Sequence, residues 1–306
     1  MATSELPAQP GVRVSRPAQP SAWERNWELL RELIRRDLQS RHKGSTLGAG
    51  WSLLNPLLYM LVYTAVFSKF VRVHTVAPYP VYLLSALLAW NFFAQALTYS
   101  ANSVLGNATL VKKVAFQWEL LTVSSVTAAF INYLISLLLL VPLMLYYHVP
   151  VGVSLLVVPL IALITYALAL GIGLLLAAGN VYFRDIEYLL GIAITVWFFM
   201  TPIIYSLDIV DPLRNPACQA TGGVSAAAAQ ASAGCKSVVH GFHLLKYVLY
   251  VNPMTWIATA FQDAIANSTW PTHRLGLGYA AALAVVAIVA GYLLFRRVKG
   301  GFAEEL

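Results

Sequence analysis

The sequence predicts an all-α integral membrane protein. It has six membrane-crossing helices, an amphipathic helix ahead of the first, and two short re-entrant helices ahead of the last. Three observations carry that reading. Only 11% of the 306 residues are charged and 59% are hydrophobic, against about 25% charged in a soluble domain. Six segments hold no Asp, Glu, Lys or Arg: Trp51–Ser68, Pro78–Val111, Leu120–Tyr147, Val149–Phe183, Tyr188–Leu207 and Leu275–Phe295. Each has room for the roughly 20 apolar residues that cross a hydrocarbon core of about 30 Å. Backbone groups in lipid must bond within their own segment, so the segments are helices.

Taken in order, residues 1–22 are rich in Pro, Ala, Gln and Ser, lack the apolar core of a signal peptide and read as a disordered tail. In residues 23–43, Trp23, Trp27, Leu30, Ile34 and Leu38 recur at helical spacing, with Arg25, Glu28, Glu32, Arg35, Arg36 and Gln39 largely opposite. Such a helix lies in the membrane interface. The six-span domain occupies 51–295, and 296–306 is a C-terminal tail. Two short connections, Asn107 to Phe116 and Asn180 to Glu187, have the form that docks a soluble partner, although any six-span chain has two loops on that side. Within the long segment 206–274, the apolar pieces 242–251 and 254–261 are too short to span and are separated by Asn252-Pro253. Runs of that length read as re-entrant, and the proline breaks the helix between them.

Charge sets the orientation. Fourteen of the 20 Lys and Arg residues fall before span 1, after spans 2 and 4, and at the C-terminus. The positive-inside rule then puts both termini in the cytoplasm. The net charge of +7 reflects this bias and requires no nucleic acid. The only cysteines, Cys218 and Cys235, both fall in the outer segment, which suggests one disulfide closing a loop. His240 and His243 lack convincing zinc-ligand spacing.

No phosphate-binding Gly-x-x-x-x-Gly-Lys-Ser/Thr loop, metalloprotease motif or nucleophile elbow occurs. No acid or base lies within a span, which argues against an ion-driven carrier or an intramembrane enzyme. The polar exceptions Asn91, Gln95 and Asn132 read first as interhelical hydrogen-bonding groups. Aromatic residues are plentiful. Tyr59, Tyr63, Trp90, Phe93, Trp197 and Phe198 fit an interfacial belt, or rings that stack on sugars along a conduit.

Several ordered motifs then match a known family. "RDLQSRHKGSTLGAGWSLLNPLLYMLVYTAVF" resembles the opening of the ABC-2 type permeases that export polysaccharides, the Wzm-type O-antigen exporters and their teichoic-acid relatives. The likeness continues through "WNFFAQAL", "NATLVKKVAF", "NVYFRDIEYLL", "FFMTPIIY", "NPMTWIATAFQDAI" and "FRRVKGGFAEEL". Gln117-Trp118 and Asn55-Pro56 depart from patterns common in that superfamily, and the Ala/Ser-rich stretch between the cysteines looks like an insertion.

The resemblance implies a homodimer in the bacterial inner membrane, joined by two nucleotide-binding subunits that carry ATP and Mg2+, with no cofactor in this chain. Its substrate would be a glycan on a polyprenyl diphosphate. Asn107, Lys112, Lys113, Phe116, Phe183, Arg184 and Asp185 would couple to the ATPase. Asn252, Pro253 and Trp256 would form the outer gate. Arg36, Arg41 and Lys43 would meet the diphosphate head group beside Trp51. Teichoic-acid or capsular export, or small-molecule export on the same scaffold, are the alternatives.

Overall fold

The computed structural model describes residues 21–42, 48–70, 78–113, 116–207 and 243–302, and every regular element among them is helical. The Cys218–Cys235 pairing and Lys43 lie outside the described residues. Helix α1 (Ala22–His42) starts on a capping box. The Ser21 amide donates to Glu24 Oε2 at 2.6 Å, and the Glu24 amide donates to Ser21 Oγ at 3.2 Å. Those Ser21 contacts hold the Glu24 carboxyl below its ordinary pKa. The face of α1 that docks on the protein carries Leu29, Leu33 and Asp37. Of the predicted stripe, Trp23 and Trp27 are turned away at 76% and 59% exposure, while Leu30, Ile34 and Leu38 are half-buried. One helix therefore presents two faces: one packed on protein, the other open and aromatic.

The chain turns at Gly48, whose φ of +50° suits a residue without Cβ, and enters α2 (Trp51–Thr64). Pro56 inside α2 cannot donate to the Ser52 carbonyl one turn earlier. Ser136 Oγ from a neighbouring helix donates there instead, at 3.1 Å. Helix α3 (Tyr79–Ser103) is the central post, buried along most of its length. After a tight turn and α4 (Ala108–Lys113), α5 (Glu119–Leu137) returns beside α3. The chain breaks at Leu138–Leu139 and resumes as α6 (Leu140–Tyr146), where Pro142 has no amide for the Leu138 carbonyl.

Helix α7 (Val158–Tyr182) makes the most extensive helix–helix contact of the fold with the last helix, α11 (Arg274–Val298). Glycines permit their approach. A Cβ on Gly171 would lie 2.5 Å from the Ala287 carbonyl carbon, and one on Gly291 would lie 2.5 Å from the Gly171 oxygen. Helix α8 (Ile186–Phe199) stops shortly before Pro202, a residue that disfavours helical backbone just ahead of it. Helices α9 (His243–Val251) and α10 (Pro253–Phe261) have nine residues each, about 14 Å at 1.5 Å per residue and too short to cross.

Among the described residues, four continuous apolar stretches have the length to cross a membrane: Tyr79–Ser103, Glu119–Tyr146, Val153–Tyr182 and Arg274–Gly301. Trp51–Phe67 and Ile186–Phe199 are apolar but shorter, so the six-span expectation rests on four full-length helices and two short ones. Of the predicted C-terminal tail, the described residues are packed: α11 runs through Val298, and Phe302 is fully buried.

Candidate functional site

Two ends of the bundle gather the predicted residues. At the end where α1, α4 and the C-terminal residues meet (the α1 end), the Arg36 guanidinium donates to Asn107 Oδ1 at 2.8 Å and reaches Asp37 at 3.4 Å. Asn107 Nδ2 donates to the Ser103 carbonyl at 2.8 Å, fixing the amide beyond the end of α3. Asp37 Oδ2 accepts from Ser125 Oγ at 3.0 Å. A residue predicted for head-group binding is thus tied to one predicted for coupling. Arg41 sits in the last turn of α1, apart from that pair in sequence.

The second predicted coupling segment lies at the same end. Asn102 Nδ2 donates to Glu187 Oε1 at 2.7 Å, and Asn180 Nδ2 donates to the Ala101 carbonyl at 2.9 Å. Both loops are therefore pinned to the last turn of α3. Phe183, Arg184 and Asp185 project from the second loop, Phe183 at 70% exposure, followed by Tyr188 at 78% and Leu189 at 64%. Lys112 is exposed on α4, Lys113 closes that helix, and Phe116 packs inward with Trp118. The C-terminal residues brace this loop. Lys299 Nζ lies 3.1 Å from Glu119 Oε1, and Phe302 stacks on Trp118 with centroids 5.9 Å apart. Sequence reasoning missed this brace; a lone acid at the mouth of span 3 was its one signal.

The predicted conduit aromatics form a continuous cluster. Tyr59 stacks on Tyr63, Tyr63 on Phe198 at 5.9 Å, Trp90 meets Phe198 at 5.7 Å, and Phe93 meets Trp197 edge-on at 5.1 Å. Phe93 and Trp90 are core residues at 0% and 4% exposure; Tyr59 is exposed. Within the single chain the cluster is a joint between α2, α3 and α8.

That joint leads to the opposite (α10) end through Asn252. Its Oδ1 accepts from the Met254 amide at 2.9 Å, capping α10, and from Trp197 Nε1 at 2.8 Å. Its Nδ2 donates to Thr201 Oγ1 at 2.9 Å and the Met200 carbonyl at 3.1 Å. One buried amide holds the α9–α10 corner to the end of α8. Pro253 opens α10, and Trp256 Nε1 donates to the Tyr250 carbonyl while its ring covers Gly276 of α11. The three residues predicted as a gate thus lie in one hydrogen-bonded corner.

A third feature lies between α2, α3 and α5. A cavity of about 370 Å3 is lined there by Ser52, Asn55, Asn91, Gln95, Asn132 and Ser136, with aromatic neighbours. The structure brings the three polar exceptions of the sequence into one cavity instead of into separate interhelical bonds.

Comparison with known proteins agrees with this architecture. Residues 28–215 match the ABC-2 type transporter family. An O-antigen export system permease protein RfbA from Klebsiella pneumoniae is 30% identical over 92% of this chain and 95% of its own length. The protein of that name from Myxococcus xanthus is 28% identical over 91% and 95%. A second Klebsiella pneumoniae RfbA is 25% identical over 92% and 95%. With apolar helices of crossing length and a family match over more than half its residues, this chain is a multi-pass membrane protein of the ABC-2 type transporter family.

Proposed function

We propose that the chain is the permease half of an ATP-driven exporter that moves a lipid-linked polysaccharide, an O-antigen-like glycan on a polyprenyl diphosphate, out of the cytoplasm. The observation that carries this reading is near full-length similarity to relatives named as O-antigen export permeases, at 25% to 30% identity. The α1 end faces the cytoplasm, in keeping with its cations. Two copies pair in the inner membrane, and two ATPase subunits supply ATP and Mg2+.

The geometry is consistent with a route for coupling. Both loops at the α1 end are tied to the end of α3, so an ATPase subunit gripping Phe183, Arg184 and Asp185 on one side and Lys112 and Lys113 on the other pulls on a single post. Helix α3 carries Trp90 and Phe93, which touch Trp197 and Phe198, and Trp197 holds Asn252. Motion at the ATPase side is delivered to the α9–α10 corner through side chains in contact. The open aromatic face of α1 lies in the interface, and Arg41 and Lys43 at its end receive the diphosphate, with Arg36 secondary.

Reconstitution of the chain with its ATPase in proteoliposomes tests the proposal. Lipid-linked glycan is expected to stimulate ATP hydrolysis. Arg184→Ala is expected to uncouple hydrolysis from transport, and Arg41→Lys to weaken glycan stimulation with topology and pairing intact. No stimulation by glycan, but stimulation by an amphiphilic drug, would instead favour small-molecule export.

A further inference from the structure

We infer that the cavity between α2, α3 and α5 is a binding site for an uncharged sugar unit of the translocating glycan, held by Asn55, Asn91, Gln95 and Asn132. This inference rests on the proposed export function and adds to it a place and a chemistry. The α2 wall presents Ser52, Asn55 and Tyr59, about one helical turn apart. The α3 wall presents Asn91, Gln95 and Tyr99 at successive turns, and α5 presents Asn132 and Ser136.

Depth makes the polarity unusual. Ser103 and Thr122 join α3 to α5 near their α1 ends, oxygen to oxygen at 2.9 Å. Counted from that contact at about 1.5 Å per residue, Gln95 and Asn91 lie roughly 12 and 18 Å along α3, and Asn132 roughly 15 Å along α5. That is near the middle of a hydrocarbon core of about 30 Å. Three carboxamides at such a depth, with Asn55 lining the same cavity, are costly unless something bonds them. Among the described residues, none of the four has a side-chain hydrogen bond; Asn55 and Gln95 are exposed, and Asn91 and Asn132 half-buried.

The lining selects the occupant. It contains no charged residue, so it offers nothing to a phosphate or an ion. An acyl chain would leave every amide unpaired. A carboxamide offers a donor and an acceptor side by side, which matches two neighbouring hydroxyls, one accepting and one donating. Trp51, Tyr59 and Tyr99 add ring surface for the C–H faces of a sugar. A volume of about 370 Å3 sits at the small end of ligand sites, which run from about 300 to 1,000 Å3. It suits one short stretch of a chain passing by.

Photocrosslinking in intact glycan-producing cells tests this. Full-length chains carrying p-benzoylphenylalanine at Gln95, at Asn55, at Phe198 in the aromatic cluster, or at Leu163 on the exposed face of α7 are irradiated, purified and stained with periodate. The expected result is a periodate-positive, high-mass adduct at positions 95 and 55 and none at 163. Adducts at 198 but not at 95 or 55 would overturn the cavity assignment and leave the export function standing. A band of twice the chain's mass at 95 and 55 would show a second copy covering the cavity, and would overturn it too. No glycan adduct at any position, with surface glycan independent of the chain, would defeat the export reading itself. In a parallel measurement, Asn91→Leu and Asn132→Leu are each expected to lower surface glycan by about five-fold, the worth of one hydrogen bond, at equal amounts of chain in the membrane. Undiminished export at equal amounts would sink the inference.

Discussion

Replacing Asn252 by Ala removes a buried amide that joins the α9–α10 corner to α8. The side chain is 7% exposed and makes four hydrogen bonds, two accepted and two donated. Truncation leaves the Trp197 indole N–H and the Met254 amide without an acceptor, and Met200 and Thr201 without a donor. A buried group left unpaired costs about 1–3 kcal/mol, and interhelical side-chain bonds in membranes average nearer 0.6 kcal/mol. With the lost helix cap, worth about 1 kcal/mol, we expect a total of roughly 2–4 kcal/mol. At a few degrees per kcal/mol, Tm of the purified chain in detergent falls by roughly 5–10 °C. The Trp197 bond is isolated by a double-mutant cycle with Trp197→Phe, where we expect a coupling of about 1 kcal/mol. A Tm within about 1 °C of the parent, or strictly additive losses, would refute the hydrogen-bonded corner as the joint between these helices.

Gly171→Ala places a Cβ 2.5 Å from backbone atoms of α11 and is expected to cost about 1–3 kcal/mol in thermal unfolding. Gly278→Ala, whose Cβ meets nothing within 4 Å, should be close to neutral. Lys299→Met strands the Glu119 carboxylate, and because the lysine is partly exposed we expect a loss of about 1–2 kcal/mol, largely recovered when Glu119→Gln is added. Cys218 and Cys235 are expected to pair on the outer face, worth about 3 kcal/mol to their loop in the chain-entropy model; non-reducing peptide mapping of membranes from aerobic cells would find both thiols free if this is wrong.

Much of this fold is written in short-range pattern. Charge-free runs mark the helices, prolines at 142, 202 and 253 mark the breaks, and Asn252-Pro253 announces the corner. The partners of polar residues are a different matter. Arg36 meets Asn107 across 71 residues, and Asn102 meets Glu187 across 85. Nothing local selects those pairings, because they follow from how α1, α3 and α8 stack. The docking face of α1 was hidden for a related reason. An aromatic stripe and an Asp-bearing stripe both have helical period, and the hydrophobic count favours the aromatic one. Yet Leu33 and Asp37 find the apolar and hydroxyl surface of α5. The polar cavity was half legible: three of its amides stood out by composition, but their convergence depends on the packing of separate helices.

The brace between Lys299 and Glu119 also has a consequence in time. The two residues are 180 positions apart. At a synthesis rate of about 10 residues per second, Glu119 waits roughly 20 seconds for its counter-ion. Throughout that interval the mouth of α5 carries an unneutralised acid, and the surface beneath Phe302 is bare. The loop that the proposed function gives to the ATPase therefore stays wet and unsettled until the last helix is inserted. On the proposed reading biogenesis acquires an order: an ATPase subunit arriving early would find an unfinished socket, and only a chain that has threaded its final helix would offer a finished one.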